Sequence, residues 1–306
     1  MKKTEHAFLK ILLSAVFSVS LIASVFCITV SLCFSPNILK RRLEKQDFSG
    51  LAMSIITENM EDFQSVINLP TETLLTAIPA ADIQDNLGRY TDGVNRLLLA
   101  GEKSDFAVKV PTTALEKLIA DAITPAHYNG DLKQMEADRA AAVAEITGSI
   151  EQTLAFFPTS LLDKVTAKAE KGGFSIQTVY RTVRYIRYAI IPCLLLWIGS
   201  AVLLLAMNCG RWEASLRLVA GNWFITASVL FLPMLFLHSY APLNRLSLSE
   251  GLLRQYILTL GAHIQGSMFT APLIFFAVGL VFLLFSLYFS AKNTQSSCTD
   301  AENVVK

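Results

Sequence analysis

Charge is scarce in this chain. Of its 306 residues, 17% are charged and 53% hydrophobic, whereas soluble domains carry roughly 25% charged residues. The formal net charge is +1. The bulk attraction that draws basic proteins to nucleic acid is therefore missing, and no nucleic-acid partner is expected. Cysteine is sparse too: Cys27, Cys33, Cys193, Cys209 and Cys298. Most of these fall in or at the ends of apolar runs, and none falls between residues 35 and 187. That excludes a disulfide framework and a zinc-type spacing. The histidines, His6, His127, His238 and His263, never share the i, i+4 spacing by which one helix presents two metal ligands. No nucleophile elbow, HExxH, Walker loop or GxGxxG occurs. The chain is therefore expected to hold no metal or cofactor and to have no enzymatic activity.

What is present is a set of long apolar runs. Residues 7–34 form the first, preceded by Lys2, Lys3 and followed by Pro36. It is longer than the core of a cleaved signal and long enough to cross the roughly 30 Å hydrocarbon layer as a helix. Leu32 before Cys33 and Phe26 before Cys27 do not suit a lipoprotein cleavage site. The run reads as a retained signal anchor. Three more spans are expected at 188–208, 219–240 and 268–291, each with one proline, Pro192, Pro233 and Pro272. Such prolines kink membrane helices, and neighbouring helices satisfy the freed backbone groups. The span centres hold no Asp, Glu, Lys or Arg, which weighs against a proton-coupled transporter.

Between the first two spans lies a polar stretch, 35–187, without sustained β-type alternation. Apolar positions recur at three and four residues, as in Leu74, Leu75, Ile78, Ile83, Leu87, Tyr90, Val94 and Leu97. The pattern predicts about five helices: one over residues 38–67, one from Pro70 onward, one over 111–123 with a Thr113–Glu116 capping box, one over 131–157, and a short one ending near Gly172-Gly173. That glycine pair is the expected hinge ahead of the second span. Tyr90, Phe106, Tyr128, Phe156 and Phe157 are expected core aromatics. A second capping pattern, Ser247 with Glu250, precedes an apolar stripe at Leu252, Leu253, Tyr256, Ile257 and Leu260. It predicts an amphipathic helix in the loop 241–267, lying on the membrane or docking on the polar domain. The polar tail, 292–306, is expected to be disordered.

Four spans place both termini on one side. Short loops carry the orientation signal, and long segments translocate largely regardless of charge. Setting aside the flanks of the long polar stretch leaves Lys2, Lys3, Lys10, Arg211, Arg217 and Lys292 on one side, against Arg245 and Arg254 on the other. This predicts a multi-pass plasma-membrane protein of bacterial type with a short cytoplasmic tail at 1–6, a cytoplasmic loop at 209–218, both termini cytoplasmic, and the polar domain outside.

Arg181, Arg184 and Arg187 fall at three-residue spacing among Tyr180, Tyr185 and Tyr188. Two readings fit: a site for anionic headgroups or phosphate, and an interfacial belt of snorkelling arginines. Lys40, Arg41, Arg42 and Lys45 admit the same pair. Over residues 10–208, the order span, helical domain, span resembles the sensor half of bacterial four-helix-bundle receptors, in layout and with no shared motif. Here two further spans replace the cytoplasmic signalling part. The expected fold is an all-α membrane protein with a helical extracytoplasmic domain. That domain is expected to bind a membrane or extracytoplasmic protein, or a second copy, or to sense a ligand, in an accessory, assembly or sensor role. The alternative is a lipid-handling or transport component with a groove among the proline-bearing spans, its partners membrane lipids.

Overall fold

A computed structural model describes residues 2–67, 69–102, 108–125, 131–158, 160, 164, 167–168, 171, 175–207, 212–239 and 251–304. Among them there are ten helices and no strand: α1 (Lys2–Cys33), α2 (Pro36–Lys45), α3 (Phe48–Ile67), α4 (Thr71–Thr76), α5 (Ala80–Ala100), α6 (Thr113–Ala122), α7 (Leu132–Leu154), α8 (Ile176–Ala206), α9 (Trp212–Ser239) and α10 (Leu252–Val304). Four are long and apolar enough to cross a membrane, over Ala7–Cys33, Gln177–Ala206, Ala214–Phe236 and Leu252–Ser290. The chain divides into two compact units. One comprises Met1–Phe34, Arg181–Asn244 and Ala262–Lys306, and the other Ser35–Tyr180 and Arg245–Gly261.

In the second unit, local chemistry sets the helix ends. The run expected as one helix over 38–67 is two. It breaks at Asp47, whose φ of 50° is left-handed and whose Oδ1 accepts from Gly50 N–H at 3.1 Å, capping α3. The helix expected from Pro70 also divides. Pro79 cannot continue α4, and its fixed φ instead opens α5. At the start of α6 the N-cap is Thr112, one residue earlier than predicted, and its hydroxyl donates to Glu116 Oε1 at 2.7 Å instead of capping a backbone N–H. Asp131 caps α7 by accepting from Gln134 N–H at 3.1 Å. Gly101 closes α5 at φ 69°. Tyr180 packs against it so closely that a Cβ there would lie 2.3 Å from the ring.

The core of this unit is an aliphatic cluster around five rings. Ile56, Met60, Leu74, Ile83, Leu115, Ile119, Ile146 and Ile150 are fully or almost fully buried. Phe156 lies 5.2 Å from Phe48, 5.4 Å from Tyr90 and 5.3 Å from Tyr256, ring to ring, and Phe157 lies 6.1 Å from Tyr256. Tyr90 Oη donates to Phe157 O at 2.7 Å, and burial pushes its pKa up. Phe106 and Tyr128 lie outside the described residues.

The apolar stripe that begins α10 docks into this same core. Leu252 and Tyr256 are buried in it, with Leu253, Ile257 and Leu260 against its edge. Tyr256 Oη donates to Asn95 Oδ1 at 2.8 Å, and Gln255 donates to Gln46 at 3.1 Å. Among the described residues the stripe is not a separate loop helix but the first part of α10, which runs from Leu252 to Val304 with Pro272 inside it. The tail expected to be disordered prolongs α10, for residues 292–304 contain no proline or glycine to end it. The Ser247–Glu250 pattern lies outside the described residues.

The other unit contains the span helices. α1 packs along α9, and Phe17, Leu21, Val25 and Leu204 form the centre, bordered by Trp197, Trp223 and Phe275. Trp197 and Trp223 meet edge to face at 4.9 Å. Trp223 Nε1 donates to Phe275 O at 3.0 Å. Gly279 makes this approach possible, because a Cβ there would sit 2.9 Å from Trp223 and 3.3 Å from the Phe224 Cα.

Candidate functional site

Three places bring polar chemistry together, one in the helical unit and two in the span unit. In the helical unit, α6 and α7 pack on each other, and Arg139 holds them there. Its guanidinium donates to Ile123 O at 3.0 Å and Ala120 O at 2.6 Å, the carbonyl end of α6, where a cation is favoured. Beside this clamp lies a groove of about 630 Å³. Its floor on α7 is small and weakly polar. Ala140, Ala144 and Gly148 recur every fourth residue, and no atom approaches within 4 Å of the position a Gly148 Cβ would take. Thr147 Oγ1 is buried without a hydrogen-bond partner. Glu116, Glu136 and Glu151 also line the groove. With Arg139 committed to the α6 carbonyls, the charge left facing the groove is negative.

The second place is the arginine and tyrosine run at the start of α8, which the structure divides. Tyr180 turns into the helical unit, where its Oη donates to Leu98 O at 2.9 Å near the carbonyl end of α5. Arg181, Arg184, Tyr185 and Arg187 are exposed. Arg187 Nη2 donates to Phe34 O, at the carbonyl end of α1. His263 of α10 reaches the same end, its Nε2 3.1 Å from Cys33 O, and the Cys33 thiol donates to Ile264 O at 3.6 Å. Two residues distant in sequence thus serve carbonyls that a helix end leaves open. His263 is fully buried. The sequence offered no signal for either pairing, because each joins separate helices.

The third place lies within the spans. Asn222 Nδ2 donates to Ser14 Oγ, joining α9 to α1, so Asn222 serves the contact between spans. Pro192, Pro233 and Pro272 all lie inside continuous helices. Pro272 also lines an apolar cavity of about 210 Å³ with Phe34. The proposed hinge, Gly172-Gly173, lies outside the described residues, as do His127 and the side chains of His6 and His238. Among the described residues, no group of three or more His, Cys, Asp or Glu stands together as metal ligands would.

No family model, curated protein or solved structure matches the chain.

Proposed function

We propose that the chain is a non-enzymatic, multi-pass plasma-membrane protein of bacterial type whose helical unit binds a protein partner outside the cytoplasm, in an accessory, assembly or sensor role. α1 is its retained anchor and both termini are cytoplasmic. The loop charges support that orientation, since Lys2, Lys3, Lys10, Arg211, Arg217 and Lys292 gather on the inner side.

The observation that carries the reading is the α6–α7 groove. A floor of Ala140, Ala144 and Gly148 lets another helix approach closely, because the distance between helix axes follows the side chains at the contact. Glu116, Glu136 and Glu151 favour lysine or arginine flanking that helix. The buried Thr147 hydroxyl lacks a partner, and an incoming polar group would satisfy it. The occupant is therefore an amphipathic helix with a small-residue seam and basic flanks.

A photo-crosslinking residue at Ala144 tests this in intact cells. The expected result is one discrete crosslinked species, lost when Gly148→Trp fills the groove and absent with the same probe at Leu132, an exposed position on the same helix. A species of twice the chain mass would identify a second copy as the occupant. Equal labelling at Ala144 and Leu132 would overturn the reading. A separate measurement tests the side of the membrane: a membrane-impermeant maleimide should label Ser104→Cys in intact cells, and protection there would reverse the orientation.

A further inference from the structure

The span unit has a cavity whose walls and mouth differ sharply in chemistry. Its walls come from three helices and the residue after the first: Val25 of α1 with Phe34 just beyond it, Leu230 and Met234 of α9, and Ile264 and Pro272 of α10. The polar groups along it are already committed. Thr29 Oγ1 donates to Val25 O at 2.8 Å, and the Cys33 thiol donates to Ile264 O. A volume of about 210 Å³ would hold about seven waters but offers them almost no partner, and a cavity of that kind stays dry. Along α1 the walls extend from Val25 to Phe34, about 14 Å at the helical rise. Such an elongated, apolar space within the span helices suits an acyl chain.

One end is different. Phe34 belongs to the cavity wall, and its carbonyl accepts from Arg187. That bond uses one of the five guanidinium donors, and Arg187 is exposed. Arg184 and Arg181, exposed one and two turns earlier on α8, add positive charge at the same end of the span. A guanidinium presents a planar fork matched to phosphate oxygens.

We propose that this cavity and Arg187 form a binding site for an anionic phospholipid. One acyl chain fills the cavity, and the lipid phosphate accepts from the Arg187 guanidinium. The site is independent of the α6–α7 groove and of the partner proposed there. It selects its ligand by charge at the mouth and by shape along the walls.

The test uses the full chain reconstituted in phosphatidylcholine vesicles, with spin-labelled phosphatidylglycerol or spin-labelled phosphatidylcholine as the probe. The expected result is a motionally restricted component that favours phosphatidylglycerol by about fivefold, the increment for one basic side chain at an anionic surface. Arg187→Gln should remove most of the preference, and more of it than Arg181→Gln or Arg184→Gln, since glutamine keeps an N–H for Phe34 O but carries no charge. Arg187→Lys should retain most of it. Leu230→Phe should shrink the restricted component for both lipids alike by filling the cavity. If Leu230→Phe fails to fold, the Gln and Lys variants decide the matter, with helical circular dichroism as the control. Equal restriction of the two lipids by the unaltered chain would overturn the proposal. So would a preference reduced no further in a folded Arg187→Gln variant than in Arg181→Gln.

Discussion

The two units differ in what they expose and in how much of their interior is small or polar. In the helical unit, large aliphatic side chains such as Ile56, Ile83, Ile119 and Ile146 are hidden, with few polar ones such as Thr91, Asn95 and Thr259 among them. In the span unit, large apolar residues cover the outside: Ile191 is 67% exposed, Val281 62% and Phe236 72%. Much of its interior is small or hydroxylated, with Ser20, Ser24, Ser200, Ala220, Ala227, Ser267 and Ala271 buried. Three of these hydroxyls return to their own helix. Ser20 donates to Phe17 O at 3.0 Å, Ser24 to Ser20 O at 2.7 Å and Ser200 to Trp197 O at 2.9 Å. Water drives the first arrangement by expelling apolar surface. Lipid removes that drive, so close backbone approach and polar contacts hold helices together instead. The two units thus follow two sets of packing rules, the second suited to helices long and apolar enough to cross a membrane.

The largest test of this contrast lies in the helical core. Tyr256→Ala should lower the stability of the helical unit by about 3–5 kcal/mol, as for other large aromatic truncations, read as the unfolding midpoint in mild detergent. Tyr256→Phe should cost less, about 1–3 kcal/mol, because it leaves the fully buried Asn95 without its donor. Gly279→Leu comes next. It forces a side chain against Trp223 and the Phe224 backbone and should destabilise the span unit by about 1–3 kcal/mol. Val281→Ala should be the mildest, below about 0.5 kcal/mol, although it removes the larger side chain. An equal loss for Val281→Ala and Gly279→Leu would mean that the span unit packs like the helical one, and the contrast would collapse.

Periodicity made much of this fold legible. Four apolar runs correspond to the four candidate spans, and Tyr90, Phe156 and Phe157 take the core places that their spacing implies. The breaks at Asp47 and Pro79 were less visible, since apolar positions continue in phase across both and only one residue at each announces the turn. The helix that holds the fourth candidate span begins at Leu252, earlier than the run at 268–291. Its first part, Leu252–Leu260, packs in the core of the helical unit, and apolar character alone does not separate such a stripe from a span. The arginine run was legible as charge but not as contact. Nothing in its spacing separates Tyr180, which bonds to Leu98, from Arg187, which bonds to Phe34. The α6–α7 groove was not legible either, because Ala140, Ala144 and Gly148 look like ordinary helix filler until α6 is placed beside them.

The capped end of α1 also bears on how the chain is made. Synthesis proceeds from the N-terminus, so α1 is complete long before its partners exist. The donor for Phe34 O arrives 153 residues later and the group that meets Cys33 O 230 residues later. Until then two carbonyls at the mouth of the first span stay open, and a chain stalled before α10 cannot close them both.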